Sequence, residues 1–298
     1  MRRRDLLLAG GATALSISAW PWKAALADDQ PKRKVLMFTR SAGFEHSAIR
    51  EKDGEMGHAQ KVFTDLGKQH NFDVVSTKDG RIFDEDLDQF DAFLFYTTGD
   101  LTQEKRGEKP PMSAEGKQKF LDAVASGKGF VATHSGADTF HSPGHDAARY
   151  ENQPEIDPYI AMLGGEFISH GPQQEARMVV ADSNFPGTND LGNSFTINDE
   201  WYSLKNLADD MHVILVQDTQ GMEGRDYQRP AYPATWARRH HDGRVFYTSM
   251  GHREDVWTSP VFQQVLLGGL RWTTGDVQAN VTPNMESVTP GAKVLPKV

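Results

Sequence analysis

Gly129-Phe130-Val131-Ala132-Thr133-His134-Ser135-Gly136-Ala137-Asp138-Thr139 changes character at its midpoint. The first five residues are apolar or small and do not alternate, the pattern of a short strand buried on both faces of a sheet. Imidazole, hydroxyl, glycine and carboxylate then follow within six residues. Open α/β sheets bind ligands just beyond the carboxyl ends of their strands, so this polar run stands where a site is expected.

Three other runs share the pattern. Residues 34–39 lead into Ser41-Ala42-Gly43-Phe44-Glu45-His46-Ser47, residues 91–96 into Thr97-Thr98-Gly99-Asp100, and residues 244–248 into Met250-Gly251-His252-Arg253-Glu254-Asp255. A short strand is expected at 72–76, with later ones at 176–181, 211–217 and 233–238. Helical stretches are expected over 54–70, from a Ser113 cap to 126, and from Ser259-Pro260 to 273, with proline at a helix start. Short buried strands separated by helices predict an α/β fold with a mainly parallel central sheet covered on both faces. If the strands are parallel, the four polar segments meet on one edge. No internal repeat of 20–50 residues is present. Residues 276–298, with Pro283 and Pro290, are expected to run over the surface or be disordered.

The chain has 298 residues, no cysteine and a formal charge of −9. Disulfides, thiolate nucleophiles and Cys-ligated metals are therefore excluded. The acidity gives no pull toward nucleic acid. The N-terminus reads Met1-Arg2-Arg3-Arg4-Asp5-Leu6-Leu7-Leu8, continues through small and apolar residues, and offers Ala25-Leu26-Ala27 as a processing site. This resembles a twin-arginine signal over residues 1–27, the alternative being an uncleaved anchor. Such export carries folded cargo, often with a cofactor in place. Removing the segment takes away four basic residues and one acid, so the net charge falls to −12. No other apolar run approaches membrane-spanning length. A periplasmic or secreted protein without a membrane span is expected, and a homo-oligomer stays open.

The candidate residues each carry a plainer reading. His46 could bond only its own loop, His134 could be a satisfied core histidine, and Asp138 could cap a turn. His252 could orient its loop, and His170, in Ser169-His170-Gly171-Pro172, could be surface. Asp199-Glu200-Trp201-Tyr202 offers either a base beside a flat aromatic face for a sugar ring, or a charged rim over buried aromatics. Other patterns are discounted. His141 and His145 have metal-site spacing, but Pro143 and Gly144 break the helix it requires. His240-His241 before Asp242-Gly243 looks like a hairpin tip. Gly127-Lys128-Gly129 precedes its strand, unlike a dinucleotide fingerprint. Ser135 lacks the glycines of a nucleophile elbow, and adjacent side chains seldom face each other well enough for His134 to activate it.

As an ordered series these stretches resemble one family. Ala42-Gly43-Phe44-Glu45-His46, Thr98-Gly99-Asp100, residues 129–139, Leu163-Gly164-Gly165-Glu166-Phe167 before His170, Asp199-Glu200-Trp201-Tyr202, residues 243–248 with Gly251-His252, and Leu267-Gly268-Gly269-Leu270-Arg271-Trp272 together look like a ThuA-like (trehalose utilisation) domain over residues 34–275. That family lies within the class I glutamine amidotransferase-like superfamily. The resemblance implies a flavodoxin-like three-layer sandwich. The superfamily's cysteine after the central strand is absent, with His134-Ser135 in its place, so thioester amide transfer is excluded by composition. ThuA-like chains also tend to carry His-Pro before a Trp near Tyr232-Pro233-Ala234-Thr235-Trp236. Tyr232 replaces that histidine, and no role is carried onto it.

The resemblance points to trehalose-like or 3-keto-glycosides as small-molecule partners. Proton abstraction beside a carbonyl, or cleavage of a keto-glycoside, needs a general acid and a general base. His134 and His252 are expected as that pair, with Asp138 orienting His134. His46, Asp100, His170, Glu200 and Trp201 are expected to bind hydroxyls or the ring. His46, His134, His170 and His252, with Asp138 or Glu200, could instead hold a divalent metal such as zinc. The competing class is a non-catalytic periplasmic sugar-binding or scaffold protein, since a fold does not fix a function.

Overall fold

The computed structural model describes residues 32–297. The signal expected over residues 1–27 lies outside the described residues. In chain order the elements are β1 (Arg33–Phe38), α1 (His58–His70), β2 (Phe72–Thr77), β3 (Ala92–Phe95), α2 (Ala114–Ala125), β4 (Gly129–Thr133), α3 (Pro158–Leu163), β5 (Glu166–His170), β6 (Gln174–Val180), β7 (Ser194–Asp199), β8 (Tyr202–Lys205), β9 (His212–Asp218), β10 (Tyr232–His240), β11 (Gly243–Thr248), α4 (Glu254–Trp257), α5 (Pro260–Thr273) and α6 (Met285–Val288).

One nine-stranded sheet runs in the order β2-β1-β3-β4-β11-β10-β9-β6-β7. Neighbours from β2 through β11 pair parallel, and those from β11 through β7 pair antiparallel. The sheet is therefore mixed, which corrects the expectation of a mainly parallel one. The cause is visible at His240 and Gly243, which pair across a hairpin tip. A strand that returns through a hairpin must pair antiparallel, whereas a parallel return needs a long crossover. Strands β5 and β8 form a separate antiparallel pair in which His170 lies opposite Tyr202.

Alternation along the parallel strands builds two cores. Leu36, Phe38, Phe93, Phe95, Phe130 and Ala132 face Phe120 and Val124 of α2. Val35, Met37, Ala92, Leu94 and Val131 face the other way, onto Phe63 and Leu66 of α1 and Phe262 and Val265 of α5. Both faces of these strands are thus covered, which is why they lack polar alternation. Ser113 caps α2 by accepting the Gly116 N–H at 2.8 Å, as its sequence position predicts. The C-terminal stretch is packed rather than loose: Asn284 bonds both the N–H and the carbonyl of Val213, and Met285 and Ala292 are buried.

Candidate functional site

Strands β1, β3, β4 and β11 are consecutive neighbours running the same way, so the loops that follow them leave the sheet on one edge. Gly99 ties three of these loops together. Its N–H donates to the Asp138 carbonyl, and a Cβ there would lie 2.6 Å from the Gly43 nitrogen. Its φ of +72° also favours glycine. His134 begins the tight turn after β4 with φ +42°, a left-handed conformation uncommon outside glycine. Two contacts hold it there: the Tyr247 hydroxyl donates to its carbonyl at 2.9 Å, and its Nδ1 lies 3.1 Å from the Ser249 carbonyl. Because a carbonyl can only accept, Nδ1 carries a proton, and Nε2 is the atom turned toward Glu200 and His252. The Asp199 carboxylate accepts the N–H groups of Gly251 and Arg253 at 2.7 and 3.2 Å, which brackets His252.

Four side chains converge. His134 Nε2 lies 3.3 Å from His252 Nδ1 and 3.5 Å from Glu200 Oε1, and His252 Nδ1 lies 3.2 Å from the same oxygen. The His46 ring stands edge-on to the rings of His134 and His252, with centroids 5.0 and 5.1 Å away. One donor atom from each of His46, His134, Glu200 and His252 lies within 4.8 Å of all the others. Tyr202 packs its ring 4.1 Å from that of His134. His170 reaches the other carboxylate oxygen, Nδ1 to Oε2 3.4 Å, and remains 42% exposed.

The electrostatics follow from burial and this shared carboxylate. Burial, reinforced by the His134 and His252 rings, drives His46 down to about 2, so it is a neutral ligand or acceptor. Burial would raise the Glu200 carboxyl, but the His134 and His252 rings outweigh it and hold the group well below its ordinary range. Burial opposes charge on His252, yet its bond to Glu200 prevails and raises it. Burial raises Asp199. An ionised carboxylate ringed by imidazoles can move protons or hold a cation.

Of the expected residues, His46, His134, Glu200 and His252 come together, and His170 borders them on the solvent side. Three do not join. Asp138 does not orient His134; its carboxylate sits 3.0 Å from His141 Nε2, while the Ser249 carbonyl fixes His134. Asp100 folds back on its own turn, accepting from the N–H and hydroxyl of Thr102 and from Gln103. Trp201 is wholly buried and donates its indole N–H to the Gln174 carbonyl at 2.9 Å, so it offers no face to a sugar. Among the described residues the exposed aromatic is Phe44, 66% accessible, whose ring meets that of His46 edge-on at 5.1 Å. Its place before His46 in the first polar loop is the only sequence signal for it.

A second cluster forms around Glu166. No helix spans His141 and His145, as Pro143 and Gly144 predict, but a turn stacks their rings 3.7 Å apart. Both Nδ1 atoms reach Glu166 Oε1, at 3.2 and 2.7 Å, and Ser142 and Asn206 also donate to that carboxylate. Burial disfavours charge on His141, but its bonds to Asp138 and Glu166 prevail and raise it to about 9. These donors too are close enough to hold a metal, although Glu166 is already satisfied by neighbours.

Comparison with known proteins agrees with the fold. A ThuA-like protein from Bacteroides uniformis is 19% identical, with a TM-score of 0.57 over 86% of this chain and 95% of its own. One from Parabacteroides merdae is 18% identical, with a TM-score of 0.55 over 90% of this chain and all of its own. No curated protein shows a significant match. Among the described residues no helix is long and apolar enough to cross a membrane. The family model described as trehalose utilisation matches residues 34–273, and the chain belongs to that ThuA family.

Proposed function

We propose that this protein is an exported carbohydrate-active enzyme that performs acid–base chemistry on a disaccharide or 3-keto-glycoside at the His46–His134–Glu200–His252 cluster. The observation that carries this reading is the convergence of three imidazoles on one ionised carboxylate at the carboxyl edge of the sheet. Cleaving or isomerising a keto-sugar requires a proton to leave carbon beside a carbonyl and another to reach an oxygen. His170 and His252 are the rings nearest solvent and so nearest an incoming substrate; His46 and His134 lie behind them. Phe44 gives an exposed apolar face to the C–H side of a sugar ring. The family's association with trehalose utilisation supports the substrate class.

The test is incubation of the purified chain with 3-keto-glucosides and with unoxidised disaccharides, reading released monosaccharide or isomerised product. Turnover that fails in the His252→Ala variant is expected. Binding without turnover, equal in that variant, would instead establish the non-catalytic sugar-binding reading. Export is supported by Arg3-Arg4 and Ala25-Leu26-Ala27. Replacing Arg3→Lys and Arg4→Lys should retain the protein in the cytoplasm; unchanged periplasmic recovery would overturn that part.

A further inference from the structure

The geometry points to a transition-metal dication, zinc being the best match, held by His46, His134, Glu200 and His252. Three donor atoms already mark out the site. His134 Nε2, His252 Nδ1 and Glu200 Oε1 form a triangle with sides of 3.2, 3.3 and 3.5 Å. A tetrahedral zinc with ligand bonds of about 2.0–2.1 Å has edges of about 3.3–3.4 Å between its ligand atoms. The spacing matches that of a ligand shell. His46 supplies the fourth donor, within 4.8 Å of the other three.

Two independent features favour a cation. The first is an unpaired atom: His46 is 2% exposed, and its Nδ1 has no hydrogen-bond partner. Leaving a buried polar atom unpaired costs about 1–3 kcal/mol, and a neutral imidazole satisfies such an atom by donating a lone pair to a metal. The second is the support behind His134. Its Nδ1–H donates to the Ser249 carbonyl, which turns Nε2 toward Glu200. Ligand histidines usually have their other ring nitrogen held by a carbonyl or carboxylate in this way.

The donor set selects the metal. Three imidazoles and one carboxylate suit zinc and its neighbours in the first transition row, whereas calcium and magnesium prefer all-oxygen shells. When bound, such an ion would polarise a sugar oxygen only by expanding beyond its four protein ligands to a fifth position. His170 is then the imidazole left free to move protons on the solvent side. The inference rests on donor geometry and holds whether or not the substrate is a sugar.

The experiment is zinc titration of the chelator-treated protein by calorimetry, with elemental analysis for stoichiometry after refilling and cobalt(II) absorbance for geometry. One zinc per chain at this site is expected, along with the intense visible bands of tetrahedral cobalt and no competition from magnesium or calcium. His252→Ala and Glu200→Gln should weaken zinc by more than the roughly 10–100-fold that outer-shell partners cost, while His240→Ala/His241→Ala should bind as the parent does. No zinc binding in the folded parent, or zinc retained in both variants but lost in His145→Ala, would overturn the assignment. Because the cobalt spectrum is read on the unmutated chain, a variant that misfolds does not decide the matter. A chain that binds zinc but turns over no sugar would refute the proposed function and leave this site standing. A metal-free chain with full turnover would do the reverse.

Discussion

His134 Nε2 lies 3.3 Å from His252 Nδ1 although 118 residues separate them in the chain. The register explains the meeting. Thr133 stands opposite Thr248 where β4 and β11 pair in parallel, so both strands end at one level and release their loops side by side. Asp199 then fixes the second loop through the N–H groups on either side of His252. The scaffold is backbone pairing, and the imidazoles are carried on it. His252→Ala should therefore lower kcat/KM at least about 100-fold, the low end for a lost proton-transfer group or the partner of one. Thermal melting should show the fold retained. Turnover within threefold of the parent would remove His252 from the centre.

Phe44 and Trp201 should behave in opposite ways. Phe44 is largely exposed beside His46, so Phe44→Ala should leave stability nearly unchanged and raise KM for the sugar about tenfold, the order of one aromatic contact. Trp201 is fully buried, so Trp201→Ala should cost about 3–5 kcal/mol of stability, read by urea unfolding. A KM unchanged by the first substitution, or a stability unchanged by the second, would show that the aromatic roles are misassigned.

The Glu166 cluster predicts how stability depends on pH. His141 is raised from its ordinary 6.5 to about 9 through Asp138 and Glu166, against burial. A raised folded-state value contributes stability that is complete below pH 6.5 and is lost as pH climbs through about 9. Glu166 is depressed, burial being outweighed by His141, His145 and Ser142, so its contribution is present above about pH 4.5 and fades in acid. The stability gap between the parent and His141→Asn, measured by urea unfolding, should accordingly narrow between pH 7 and pH 10. A gap constant across that range would contradict the clamp.

Much of this arrangement was legible in the sequence where backbone dictates it. Residues 129–139 placed a buried strand and a polar loop correctly, and the same grammar located His46 and His252. It failed where side-chain direction decides. Asp138 stands four residues beyond His134, but the tight turn after β4 points its carboxylate at His141. Trp201 and Tyr202 are neighbours in sequence, yet Trp201 is sealed in one core while Tyr202 packs on His134. Strands β5 and β8 escaped notice because Glu166 and Lys205, charged residues opposite each other, are both buried. The antiparallel half of the sheet was signalled by the hairpin tip at His240-His241, and by the lack of a helix between the strands at 211–217, 233–238 and 244–248.

Glu200 is the group that His134, His170 and His252 share, so a reaction centre at this cluster depends on its charge. The measurement is kcat/KM of Glu200→Gln on a 3-keto-glycoside that the parent turns over. Glutamine keeps the shape and removes the charge. A loss of at least about 100-fold with unchanged thermal melting is expected. Turnover equal to the parent's would show that the cluster is not the reaction centre.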